Sequence, residues 1–261
     1  MGWLRRRKTL GLALGGGAAR GFAHLGVLKA LSEAGIRPNF VAGTSAGSVV
    51  GALFCAGHSW EEILHKTATM KWKHLVTLTL PRLGLVRPEG LRELIDALVG
   101  GGTMEDLDIP FAAMAVDLVA ARPVVIDTGP VTDAVVASCS IPGIFVPVER
   151  NGTLLVDGGV LNAVPADTAR SMGATFVMGV DLNADVHGSK EHPENLVEVI
   201  IRSMALMMGA TSSRGLEEAD WVVRPDLAGF SYHDMSRRDE MVERGEQATL
   251  QALDQLSRVL D

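Results

Sequence analysis

Apolar positions along this chain switch between two periods. Short apolar runs at Thr9 to Leu14 and Phe40 to Ala42 end in glycine or small residues, as buried strands do. After the first, Phe22, Leu25, Leu28 and Leu31 recur at helical spacing over Phe22 to Ala34, and Gly35 and Pro38 stop the run. After the second, Ala46 to Ala56 reads as a small-residue helix. The pattern predicts further helices at Trp60–Met70, Pro88–Leu98, Pro165–Met172, Glu194–Met208 and Arg238–Leu260. It predicts strands at Ala112–Leu118, Pro123–Asp127, Leu154–Val156, Thr175–Asp181 and Trp221–Arg224. This alternation predicts an α/β fold, a three-layer α/β/α sandwich with a mostly parallel central sheet. No internal repeat, low-complexity tract or linker interrupts it, so residues 1–261 read as one domain with a basic tail at 1–8.

Composition narrows the functional classes. A chain of 261 residues, 47% hydrophobic, has enough length for one well-buried core. A formal charge of −7 argues against a nucleic-acid partner. Cys55 and Cys139 sit in apolar settings, which implies no disulfide framework and fits a reducing, cytoplasmic compartment. No uninterrupted apolar run reaches the roughly 18 residues of a membrane span. Arg5-Arg6-Arg7-Lys8 before Leu10 to Leu14 has the look of a signal peptide, but cleavage near Ala18 would discard the glycine loop described next. The preferred reading is a basic tail leading into a buried strand. A weaker one has Trp3, Leu4 and the four cations touching anionic lipid, a peripheral membrane contact.

Three short segments carry chemistry. Gly43-Thr44-Ser45-Ala46-Gly47 lies between a predicted strand and a predicted helix, where a nucleophile on a sharp turn needs tiny neighbours. The competing reading is a serine that merely caps a helix. Gly15-Gly16-Gly17, leading through Arg20 and Gly21 into a helix, offers backbone amides to an anion. A dinucleotide fingerprint fails there, because the G-x-G-x-x-G spacing is unmet and no acidic residue ends the second strand. Asp157-Gly158-Gly159 follows a strand, so its carboxylate is expected at a strand's C-terminal end, where open sheets place ligands. An aspartate bonding its own turn is the ordinary alternative.

Together these segments resemble the bacterial patatin-like phospholipases. Leu12 to Leu28 resembles that family's oxyanion block, Gly43 to Gly47 its elbow, and Asp157-Gly158-Gly159 its catalytic aspartate motif. Ala137 to Pro147, Asn162 and Pro165 are similar too, and the resemblance runs from about Leu10 to Asp181. Ala18 departs from it, standing where many relatives have glycine; it keeps the amide but not glycine's dihedral freedom. The resemblance implies a patatin-like fold and a Ser-Asp dyad. Ser45 is then the nucleophile, Asp157 the base, and the amides of Gly16, Gly17 and Ala46 the oxyanion donors. Arg20 braces the loop or meets a phosphate. Gly43, Gly47, Gly158 and Gly159 allow the elbow and the turn.

Implied substrates are phospholipids, lysophospholipids or other acyl esters. The alternatives are acyl transfer and a low-turnover regulatory or binding protein of the same fold. An aspartate near pKa 3.9 is a poor base at neutral pH, so the dyad requires a dry site. His187, His192 and His233 follow Asp157 in the order of a Ser-Asp-His triad, but too few strands precede the elbow for that fold. Lys71 to Arg87 mixes apolar residues with cations and reads as a lid or as ordinary core. Met204 to Met208 reads as adaptable core. No cluster has metal-ligand spacing, and no cofactor is expected.

Overall fold

The computed structural model describes residues 8–67, 82–185, 192–233 and 235–260. The N-terminal half runs β1 (Leu10–Leu14), a 3-10 turn (Ala18–Phe22), α1 (Ala23–Glu33), β2 (Phe40–Thr44), α2 (Ala46–Cys55) and α3 (Trp60–Thr67). It continues with β3 (Gly84–Val86), α4 (Glu89–Val99), β4 (Phe111–Asp117), β5 (Arg122–Ile126) and α5 (Val131–Ser138). Then come β6 (Gly143–Phe145), β7 (Val148–Arg150), β8 (Thr153–Asp157), α6 (Ala166–Ser171) and β9 (Phe176–Val180). α7 (Leu196–Leu216), β10 (Trp221–Val223) and α8 (Arg238–Leu260) complete it.

The main sheet has the order β10-β9-β1-β2-β4-β8-β7, with β5 also on β4. β10, β9, β1, β2 and β4 are parallel, while β5, β8 and β7 join antiparallel. Strands in such a sheet are buried on both faces, and β1 shows how one sequence serves two unequal layers. Leu10, Leu12 and Leu14 enter the large core under α1, α2 and α5, while Ala13 joins a thin alanine-rich layer under α6. Gly11 faces the same thin layer, where a Cβ would stand 2.6 Å from that of Ala174.

Most predicted elements appear with ends shifted by a residue or two, and three differences have physical causes. α5 went unpredicted because seven of its eight residues are buried, so it shows no amphipathic period. The helix expected at Glu194–Met208 runs on to Leu216, since Gly209 and the serines after it do not break it. β8 and β7 are antiparallel, a distinction that strand-forming sequence does not encode. The expected residues 68–70 of the third helix, positions 71–81 of the lid segment, the tail at 1–7 and His187 lie outside the described residues.

α1 and α8 pack backbone to backbone through reciprocal glycines. A Cβ on Gly26 would stand 1.9 Å from the Val242 carbonyl oxygen, and one on Gly245 would stand 1.9 Å from that of Ala23. Gly26→Ala gains up to about 1 kcal/mol of helix propensity but forces the helices apart, at a cost of about 1–3 kcal/mol or more. The urea midpoint of this variant is expected to fall; an unchanged or raised midpoint would show that the crossing is looser than described.

Candidate active site

β2 ends at Thr44, and the chain reverses at Ser45 to enter α2. Ser45 has φ 52° and ψ −122°, a conformation that L-residues avoid and that costs on the order of 1–3 kcal/mol. Its side chain makes no capping hydrogen bond, which disposes of the helix-cap reading. Instead its backbone is held. The Ser45 amide donates to Ser138 Oγ at 2.9 Å, and its carbonyl accepts from Ser48 N, Ser48 Oγ and Val49 N. The turn requires the two glycines: a Cβ on Gly47 would lie 2.1 Å from the Leu14 oxygen, and one on Gly43 2.6 Å from the Gly47 oxygen.

Asp157 arrives beside Ser45 through register. Thr44 pairs with Met114 and Ala115 pairs with Asp157, so one further step along β2 brings Ser45 level with Asp157. Asp157 is the last residue of β8, the strand-end position expected of it, but that strand is not one of the parallel set. β8 runs antiparallel to the strands whose C-terminal ends form the site, and Asp157 stops at their level because the chain turns there. Gly158 permits the turn, since a Cβ would lie 2.4 Å from the Met114 oxygen. The Asp157 amide donates to the Ser140 carbonyl at 2.9 Å, so residues 138–140 hold both Ser45 and Asp157.

The Asp157 carboxylate is fully buried. Oδ1 accepts from the Gly159 amide at 2.8 Å, and Oδ2 has no hydrogen-bond partner. Burial pushes its pKa from 3.8 up to about 7, against the opposing pull of the Gly159 amide and then of the Ser45 hydroxyl. The hydroxyl therefore lies close to the carboxylate, short of a hydrogen bond of standard geometry. Such contacts often tighten only when substrate is bound. Cys139 borders the same space and lies 3.7 Å from Ser48 Oγ; burial, with the Asp157 charge adding to it, lifts the thiol to about 12 and keeps it neutral.

The glycine loop corrects one expectation. The Gly16 amide donates to the Ala163 carbonyl at 3.0 Å and is not available to an oxyanion. Gly16 matters for space: a Cβ there would lie 2.9 Å from Met208 Cε and 3.4 Å from Ser45 Cβ. Among the described residues, the amides of Gly17, Ala18 and Ala46 have no backbone or side-chain acceptor. Ala18 has φ 48°, so the glycine-favouring conformation survives here on an alanine.

Arg20 braces the loop. Its guanidinium donates twice to the Phe230 carbonyl, once to Leu182 and once to Asp185 Oδ1 at 2.7 Å, and stacks on Tyr232. Those contacts occupy the side chain and leave little for a phosphate. His24 is packed against the same loop, its Nε2 2.7 Å from the Gly15 oxygen, and burial lowers its pKa to about 4. No described histidine lines either cavity that reaches Ser45.

Of those two cavities, the larger is about 120 Å³ and overwhelmingly apolar, bounded by Phe22, Leu25, Val50, Ile63, Leu91 and Phe145 among others. The smaller, about 10 Å³, lies between Ser45 and the inner side of α7 at Ile201, Met204 and Met208. The sequence marked residues 137–147 only by resemblance; Ser138 and Ser140 gave no signal of their own, because the bonds that tie them to Ser45 and Asp157 run to distant positions, while the Ser140 hydroxyl itself bonds the Val136 carbonyl one turn back.

A family model described as patatin-like phospholipase matches residues 12–170. An uncharacterised NTE family protein of Mycobacterium bovis is 34% identical over 213 residues, covering 78% of this chain and 59% of that protein. Patatin-like phospholipase domain-containing protein 7 of Rattus norvegicus is 36% identical over 186 residues, covering 67% of this chain and 14% of that protein. The chain therefore spans 59% of the first relative and 14% of the second, under two thirds of each. The crystal structure of VipD from Legionella pneumophila shares the fold, with a TM-score of 0.67 at 14% identity over 96% of this chain and 67% of that one.

Two stability measurements test this site. The raised pKa of Asp157 means that its contribution to stability is complete below pH 3.8 and is lost as pH rises through about 7. Asp157→Asn should therefore be more stable than the parent above pH 7, by about 2–4 kcal/mol at roughly 1.4 kcal/mol per unit, and no more stable below about pH 4. Equal stability of the two proteins at pH 8 would contradict a buried, charged Asp157. Ala18→Gly removes a strain of about 1–2 kcal/mol against a chain-entropy loss of about 0.5–1 kcal/mol, so its urea midpoint should rise slightly; a fall would place Ala18 outside the left-handed region.

Proposed function

We propose that this chain, which belongs to the patatin-like phospholipase family, is a lipid acyl hydrolase working through Ser45 and Asp157. Ser45 Oγ attacks the carbonyl carbon of a carboxylic ester, and Asp157 takes its proton through Oδ2, the oxygen left without a partner. The oxyanion forms near the amides of Gly17, Ala18 and Ala46, with the dipole of α2 assisting. The alcohol leaves with the proton held by Asp157, and an acyl-Ser45 ester remains. Water, deprotonated by the same carboxylate, then attacks that ester, releases a carboxylic acid and restores Ser45.

The observation that carries this reading is a base of pKa about 7 beside a serine held in a strained, uncapped conformation at the wall of an apolar cavity. An ordinary turn aspartate would be solvated and acidic. Burial raises the carboxylate, and the apolar cavity at Ser45 has a lining suited to an acyl chain, which favours phospholipid, lysophospholipid or similar acyl esters as substrates.

A fluorophosphonate probe should label the protein at Ser45, and Ser45→Ala should neither label nor turn over p-nitrophenyl esters. Labelling that survives in Ser45→Ala, or a parent protein that resists the probe, would rule out this mechanism. Asp157→Asn is expected to lower kcat by about 10²–10⁴-fold. Because the base must be ionised, kcat/KM of the parent should climb through about pH 7 and level off above it; a profile flat from pH 5 to 9 would remove Asp157 from the base role.

A further inference from the structure

α7 is apolar on two sides. Its inner face, with Ile201, Met204, Ala205 and Met208, is buried and borders the small cavity at Ser45. Its outer face carries Leu196, Val199, Leu206, Met207 and Ala210, ended by Arg214, at a spacing that puts them on one stripe. Leu196 is 61% exposed, Val199 45%, Leu206 42% and Met207 44%, four of the ten exposed large apolar side chains among the described residues; Leu118, Val119 and Val125 form a separate exposed group at the β4–β5 hairpin. Among the described residues this is also the helix long and apolar enough to cross a membrane, yet its inner face is committed to the protein core. With that face in the core, only the outer face of α7 is free to meet anything else.

The stripe extends beyond the helix. β6 pairs with β3 through Gly143 and Gly84, and Ile200 Cδ1 lies 3.4 Å from where a Gly143 Cβ would stand. Leu83, 63% exposed, precedes Gly84 of β3, the strand paired with the one that Ile200 approaches, and the exposed cations Arg82 and Arg87 flank β3 in sequence. Cations thus stand near both ends of the apolar stripe. Carboxylates are present there too: Glu194 precedes the stripe, Glu198 falls within its first turn on another side of the helix, and Glu217 and Glu218 follow Arg214. Glu198 turns back to the Glu194 amide at 2.7 Å and the Asn195 side-chain amide at 2.8 Å. Apolar residues framed by cations fit an anionic lipid surface, whose charge attracts each nearby Arg.

We infer that the outer face of α7, together with Leu83, docks on an anionic lipid surface and so presents the Ser45 cavities to acyl chains. This rests on the lipid-hydrolase reading for its purpose, but the docking itself is measured without catalysis. Ser45→Ala protein should co-sediment with vesicles of phosphatidylglycerol and phosphatidylcholine, and more weakly with phosphatidylcholine alone. Adding Val199→Glu and Leu206→Glu should weaken binding about tenfold or more with the thermal midpoint unchanged. Leu250→Glu, at an exposed leucine of α8, should change it less than about twofold.

A second readout avoids the double variant: Met207→Trp should gain fluorescence quenching by brominated lipid over the parent. Three results would each overturn the inference: no co-sedimentation with either vesicle, binding indifferent to the double variant with no added quenching, or a dimer by light scattering that the same double variant dissociates. If the parent binds vesicles through this face yet hydrolyses no ester, docking stands and the hydrolase reading falls.

Discussion

The hydrogen bond from the Ser45 amide to Ser138 Oγ anchors a backbone conformation that the chain would not keep by itself. The strain at Ser45 is of the same order as several ordinary hydrogen bonds, each contributing about 0.5–1.5 kcal/mol. It persists because the surroundings determine it more than once: the amide held by Ser138, the carbonyl held by Ser48 and Val49, and the close passage of Gly47 over β1. Two residues beyond Ser138, the Ser140 carbonyl accepts the amide of Asp157. One short segment at the end of α5 thus sets the positions of both Ser45 and Asp157.

Burial does opposed things at Asp157. It makes the carboxylate basic enough to take a proton near neutral pH, and it makes the ionised form costly for the fold. Accepting from Gly159 offsets part of that cost, while Oδ2 stays unsatisfied. A second stabilising bond would return the group toward an ordinary carboxylate and weaken it as a base. The unmet valence costs stability, and perturbed buried groups of this kind cluster at functional sites.

α7 links the site to the outside. Met204 and Met208 border the small cavity at Ser45, Met208 also packs on Gly159, and flexible thioethers adapt to contents of varied shape. The same helix carries the exposed apolar stripe on its other side. A perturbation at the surface therefore has only one helix diameter, about 10–12 Å with side chains, to cross before it reaches Ser45.

The chemical identities were legible from local order. Small residues around Ser45 and glycines after Asp157 are demands of backbone geometry within a few positions, so they appear as motifs, and the periods of β1, α1 and α8 follow from burial on one or two sides. What needed three dimensions was everything spanning distant positions. The antiparallel entry of β8, the clamp from Ser138 and Ser140, the engagement of the Gly16 amide by Ala163 and the spending of Arg20 on carbonyls are all pairings across long loops. Local sequence states which groups a residue can bond, but not which of many equivalent carbonyls and amides folding will bring to it. α5 escaped notice for a related reason, since a helix buried on every side has no polar face to betray its period.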